Sequence, residues 1–125
     1  MKRIIATKDA PSAIGPYSQA VEINGTLYIS GQIPVNPVSG NIEATDITGQ
    51  THQVLKNIGA ILNAAGYNYQ DVVKSNCLLA NMDDFKEMNQ VYMQYYTSDP
   101  PARSTFSVSN LPLNSLIEIE TIAVK

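Results

Sequence analysis

Pro100-Pro101-Ala102-Arg103-Ser104-Thr105-Phe106-Ser107-Val108-Ser109 and Leu116-Ile117-Glu118-Ile119-Glu120-Thr121-Ile122-Ala123-Val124 decide the reading of this chain. The proline pair ends whatever precedes it, and both segments then alternate with period two, so each predicts a strand with one core face. In the first, Phe106 and Val108 fall on one side and Arg103, Thr105 and Ser107 on the other; in the second, Ile117 and Ile119 oppose Glu118 and Glu120. If the two strands form a hairpin that shares its apolar side, guanidinium and carboxylates share the opposite side. The expected arrangement is an arginine clamp beside an acid/base.

Arginine is scarce here, present only as Arg3 and Arg103, and Arg3 lies near a terminus. Its planar fork of donors matches a carboxylate better than the point charge of a lysine does. Two readings of Arg103 stay open on the residues alone: a ligand site, or an ion pair with Glu118 or Glu120 that holds a strand edge.

Working outward, 125 residues are expected to make one domain, residues 1–125, long enough for a core without metal or disulfide staples. The net charge of −3 and the lack of a basic, aromatic-interleaved stretch leave nucleic acid without support as a partner. Cys77 is the sole cysteine, so no internal disulfide forms, and no charged and apolar leader precedes the first strand. A cytoplasmic location is expected. No apolar run approaches spanning length and neither candidate helix has a basic face, so no membrane partner is expected.

The segments 2–7, 18–23 and 26–33 read as strands, the last two joined at Asn24-Gly25, a strong hairpin signal. Prolines 34 and 37 open a loop. A helix over 46–65 follows, its apolar stripe built from Ile47, Val54, Leu55, Ile58, Ile61, Leu62 and Ala65, with Gly66 as its stop. Residues 72–80 predict a strand. Residues 83–96 predict a second helix, capped by Asn81 or Asp83, with Phe85, Met88, Val91, Tyr92 and Tyr95 at helical spacing. The order is βββαβαββ, an α+β fold with two helices on one face of a single mixed sheet. The other face, with Glu118, Glu120, Ile122, Val124 and Arg103, is too apolar for free surface and too charged for a core. A homo-oligomer with sites at its interfaces is expected.

Few residues are equipped for chemistry. One histidine and one cysteine without shared spacing make no metal site. His52 reads as a solvated helix residue and Cys77 as a buried strand residue. No nucleophile elbow, phosphate loop or dinucleotide fingerprint appears. Tyr17 sits on the rigid Gly15-Pro16 turn, where it either covers a small site or packs on a neighbouring subunit. Ser30-Gly31-Gln32-Ile33-Pro34 ends a strand with a glycine that a ligand can approach closely, or is a plain strand-end turn. Asn89, among the tyrosines of the second helix, caps, packs or reaches a ligand.

These segments resemble the RidA/YjgF family of enamine/imine deaminases nearly end to end. The matching pieces are Ala13 to Ala20, Ser30 to Pro34, Asn57-Ile58, Ala64-Ala65-Gly66, Phe85 with Asn89 and Tyr92, and above all Pro101-Ala102-Arg103-Ser104 followed by Ile117-Glu118-Ile119. The resemblance implies a chorismate-mutase-like fold and a homotrimer whose sheets close a barrel, with clefts between subunits. It implies hydrolysis of 2-aminoacrylate and related 2-enamine/2-imine acids to 2-keto acids and ammonia, without cofactor or metal. In that scheme the reactive acids come from pyridoxal-phosphate enzymes, and their removal pre-empts damage. By position, Arg103 would bind the substrate carboxylate, Glu118 would activate water, Tyr17 would close the cleft, and Ser30, Gly31 and Asn89 would line it. Thr105 stands where the family often has cysteine, which removes thiol chemistry there but leaves a backbone N–H for the ligand.

Three other readings compete. A regulatory module sensing 2-keto acids such as 2-ketobutyrate would need Arg103 but not Glu118. An RNA-directed translation inhibitor with ribonuclease activity fits the acidic charge and lone histidine poorly. Chorismate mutase activity rests on fold analogy alone.

Overall fold

The computed structural model describes the whole chain, Met1–Lys125. Eight elements run β1 (Arg3–Ile5), β2 (Ala20–Ile23), β3 (Thr26–Gln32), α1 (Ile47–Ala65), β4 (Val72–Leu79), α2 (Phe85–Tyr95), β5 (Ala102–Ser107) and β6 (Ile117–Val124), joined in places by short 3-10 turns. The order is the βββαβαββ that the sequence predicts. All strands belong to one sheet in the order β1-β2-β3-β6-β4-β5. Every pairing is antiparallel except β4 with β5, so the sheet is mixed.

Local chemistry sets the element ends. Asn24 and Gly25, at φ 51° and 77°, make the tight left-handed turn between β2 and β3. The Asp46 carboxylate caps α1 by accepting from the Gly49 N–H at 2.8 Å, and Gly66 ends the helix at φ 84°. The expected α1 stripe is buried throughout. It joins Ile5, Leu27, Ile29, Ile117, Ile119 and Ala123 of the sheet in one core, into which α2 adds Met88, Val91 and Tyr92. Asn81 caps the 3-10 turn Met82–Asp84, which leads directly into α2.

The expected hairpin between the last two strands does not form. The α2 segment is a crossover that returns the chain parallel to β4, so β5 pairs with β4 at the sheet edge, while β6 inserts between β3 and β4. This also reverses β5. Cross-strand rows align Arg103 with Ser75 and Thr121, and Thr105 with Cys77 and Ile119; these four partners are all buried under the helices. Arg103 and Thr105 therefore face α2. Phe106, expected in the core, is aligned with Leu78 and Glu118 on the uncovered face and is 49% exposed, and Val108 lies past the strand end.

The uncovered face has the composition expected of it, apart from Arg103. Ile4, Val21, Tyr28 and Ile122 form one apolar row across β1, β2, β3 and β6, with Glu118 and Glu120 beside it. Ile4 and Tyr28 are each about half exposed, which is unusual for a continuous apolar row. No helix is long and apolar enough to cross a membrane.

Candidate active site

The side chains expected at the site fall into two groups on opposite faces of the sheet. On the helix face, Phe85, Asn89 and Tyr92 share one side of α2 by their spacing of four and three residues, and together they hold Arg103. The guanidinium donates to Asn89 Oδ1 at 2.7 Å and lies 4.8 Å from the Tyr92 ring centroid and 5.5 Å from that of Phe85. Aromatic faces favour a cation by about 0.5–2 kcal/mol each without neutralising it. No carboxylate does so either, because the only ion pair in the chain joins Arg3 to Glu22. The alternative of an Arg103 pair with Glu118 or Glu120 is thereby removed. What remains is a half-buried cation, oriented by an amide, that opens on a cavity of about 760 Å³ with Tyr96, Pro100 and Pro101 in its wall.

Thr105 is half-buried on the same face, and its hydroxyl has no hydrogen-bond partner. Beside it, the fully buried Cys77 thiol is pushed up to about 11, by burial first, which makes it inert as a nucleophile. Phe85 and Tyr92 read in the sequence as core stripe. The family resemblance groups them with Asn89, and the i, i+4, i+7 relation among the three is what turns them toward Arg103.

The second group belongs to β3, β6 and the loop before β2. Gln19 builds that loop: its side chain accepts from the Thr7 N–H at 2.7 Å and donates to the carbonyls of Thr7 and Pro11 at 3.0 and 2.8 Å. Two residues earlier, Tyr17 leaves the Gly15-Pro16 turn, its N–H on the Gly15 carbonyl at 2.9 Å and its side chain half exposed. The Ser30 hydroxyl donates to the Ser18 carbonyl at 2.6 Å, which binds the Tyr17 loop to β3. Gly31 and Tyr17 share a cavity. A Cβ at Gly31 would run into the Glu118 carboxylate, so glycine here is a condition for the acid's position.

Glu118 is half-buried, and its carboxyl lies above the usual carboxylate range, first through burial and then through the neighbouring Glu120. Glu120 is engaged by the Asn76 amide at 2.7 Å, whereas Glu118 has no hydrogen-bond partner within the chain. Gly31 thus lies against Glu118 and beside the cavity that Tyr17 lines, and Ser30 anchors the Tyr17 loop, whereas Arg103, Asn89 and Thr105 lie on the other face of the sheet. His52 joins neither group; its Nδ1 lies 2.8 Å from the Tyr95 hydroxyl in a part-buried contact between α1 and α2.

The family model described as Endoribonuclease L-PSP matches residues 7–125. A RutC family protein from Pyrococcus horikoshii is 52% identical over 125 residues, covering 100% of this chain and 99% of its own. Human 2-iminobutanoate/2-iminopropanoate deaminase is 47% identical over 125 residues, which is 100% of this chain and 91% of that one. The crystal structure of E. coli TdcF with bound serine matches the fold at a TM-score of 0.95 and 40% identity, over 98% of each chain. A match of this extent to the family model, with such relatives along the whole chain, makes this protein a member of the Endoribonuclease L-PSP family, the RidA/YjgF family that its motifs resemble.

Proposed function

We propose that the protein is a hydrolytic deaminase that converts 2-aminoacrylate and related 2-enamine and 2-imino acids to 2-keto acids and ammonia. The observation that carries this reading is the Arg103 guanidinium, half-buried, held by Asn89 and two aromatic rings, and left without a carboxylate. Leaving a charge partly desolvated and unpaired is unfavourable, and a small carboxylate ligand relieves that penalty. Human 2-iminobutanoate/2-iminopropanoate deaminase, by its name, acts on such acids, and E. coli TdcF holds a free amino acid. A chain of net charge −3, by contrast, offers an RNA backbone little attraction.

The site is complete only when two copies of the chain meet. Within one chain Arg103 and Glu118 face opposite sides of the sheet, so the clamp of one subunit works with Tyr17, Ser30, Gly31 and Glu118 of another. A homotrimer whose sheets close a barrel would do this and would also cover the apolar row from Ile4 to Ile122. Light scattering should give a trimer; a monomer at micromolar concentration would remove the shared cleft.

In the reaction, the enamine first takes a proton from solvent at its terminal carbon, which leaves the imine in its protonated, iminium form. Arg103 then fixes the carboxylate, and a Thr105 backbone N–H on the edge strand adds a donor. Glu118 takes a proton from water as the oxygen bonds to the imine carbon and the C=N electron pair moves to nitrogen. Nitrogen of the resulting carbinolamine receives that proton, and the C–N bond breaks as the hydroxyl releases its own proton to solvent and becomes the keto C=O, leaving a 2-keto acid and ammonia. Since such imines hydrolyse unaided, orientation and one activated water are sufficient help. The test is ammonia and keto-acid release from 2-aminoacrylate made in situ by a dehydratase. No acceleration at any protein concentration would overturn the deaminase reading and favour a 2-keto acid sensor.

A further inference from the structure

Ser30 and Gly31 interrupt the ladder between β3 and β6. Ile29 is opposite Thr121 and Gln32 is opposite Ile119, so two residues of β3 oppose the single Glu120. This is a β-bulge, a device that re-aims the side chains around it. Plain alternation from the buried Ile29 would turn Gly31 toward the helices and Gln32 onto the uncovered face. The bulge exchanges them. Gln32 is 5% exposed beside the buried Ile119, and the Cβ direction of Gly31 points at the Glu118 carboxylate. The close approach of Gly31 to the acid therefore depends on the bulge.

Two buried amides hold the backbone on either side of Gly31. Before it, inside the bulge, the Ser30 carbonyl accepts from Gln32 Nε2 at 3.2 Å. After it, the Val35 N–H donates to the Ile33 carbonyl at 2.8 Å and closes a three-residue turn about the buried Pro34. Asn57 of α1, 1% exposed, locks this turn: its Nδ2 donates to the Val35 carbonyl at 2.9 Å and to the Ile33 carbonyl at 3.3 Å, and its Oδ1 accepts from Gln53 Nε2 at 2.9 Å. A buried amide is unfavourable unless it is hydrogen-bonded, and methionine or leucine of similar volume would fill either place without that demand. Both amides thus point to a role beyond packing.

We infer that Gln32 and Asn57 are positioning residues of the reaction: from either side of Gly31 they fix the bulged strand end against which the Glu118 carboxylate is seated, and so aim the water that it activates. The inference rests on the deaminase reading of Glu118 and Arg103. Because Arg103 holds the substrate carboxylate on the other face of the sheet, loss of either amide belongs to the chemical step and not to binding.

The test follows the imine that an amino-acid oxidase makes in situ from alanine, at levels set by the oxidase, with a semicarbazide trap as competitor. Gln32→Met and Asn57→Leu keep side-chain size and remove each amide in turn. Both variants should keep the native oligomeric state, with KM unchanged and kcat lowered about 10- to 100-fold, as for a group misplaced by up to about 1 Å. Combined with Gly31→Ala, which already pushes the carboxylate aside, neither should lower kcat further, because all three substitutions act through one acid. Native kcat in both variants, a loss carried by KM, or losses that multiply with Gly31→Ala would overturn the inference and leave a deaminase. Failure of both variants to fold would make the amides structural only and overturn it as well; if one folds, that one decides. Failure of the native protein to accelerate hydrolysis of the imine would overturn the deaminase reading, and this inference with it.

Discussion

Arg103 and Glu118 leave the same sheet on opposite faces, the guanidinium toward Asn89 of α2 and the carboxylate toward Gly31 of β3. No rotamer brings the two to one small ligand within a chain, because the sheet and its β4 strand lie between them. A cleft that uses both must draw them from different copies. Arg103→Ala and Glu118→Gln should each be nearly inactive alone. When the two variants are unfolded and refolded together, roughly a quarter of the clefts in a random cyclic trimer pair an intact clamp with an intact acid. Turnover should recover to about that fraction. No recovery in mixed trimers verified by native mass spectrometry would place the two groups in one subunit's site and contradict the shared cleft.

Arg103→Lys keeps the charge but should behave almost as a null. An ammonium cannot present the bidentate fork, stacks less well between Phe85 and Tyr92, and has no fixed donor for Asn89. The lost charge-assisted contact is worth roughly 1.5–3 kcal/mol, which is about one to two powers of ten in kcat/KM. The variant should remain folded and of native oligomeric state by circular dichroism and light scattering. Near-native turnover would mean that the guanidinium is structural.

The same arginine marks where the sequence was legible and where it was not. Alternation assigned residues 102–107 correctly to a strand and put Arg103 and Thr105 on one side, Phe106 on the other. Periodicity gives two sides, however, without saying which of them a helix covers. Apolar content suggested Phe106, but α2 offers an aromatic and amide surface to which a guanidinium is the better partner. The hairpin failed for a related reason: a loop joining two strands does not reveal that β4 lies between them. By contrast, α1 was readable to within a residue, because Asp46 and Gly66 carry their own end signals. The grouping of Tyr17, Gly31 and Glu118 came from the family's motifs; only the packing of the Glu118 carboxylate on Gly31 gives it a physical cause.

That packing makes Gly31→Ala a probe of position rather than of chemistry. The added methyl meets the end of a flexible side chain, so Glu118 can swing aside and the fold should survive with a nearly native Tm. The displaced carboxylate no longer aims its water, and a misplacement of about 1 Å is enough to lower turnover about 10²-fold. Native turnover in Gly31→Ala would show that the position of Glu118 does not matter to the reaction.

Glu118 itself should leave a signature in pH. Burial and then Glu120 hold its carboxyl above the ordinary range, and only the ionised form accepts a proton, so turnover should fall as pH drops through that raised value. Glu120→Gln removes the like charge and should move this acid limb to lower pH. Glu118→Gln should abolish the limb and lower turnover by about 10²–10⁴, with pyruvate binding retained. Stability must follow with a fixed sign. A carboxyl raised on folding binds more protons in the native than in the unfolded state, so stability declines as pH rises from the ordinary carboxylate value through the raised one. Glutamine resembles the protonated acid without titrating. Glu118→Gln should therefore match the native Tm below that window and exceed it above. A Tm difference that is the same at every pH would show that Glu118 is not held above its ordinary value, and its assignment as the base would lose its electrostatic support.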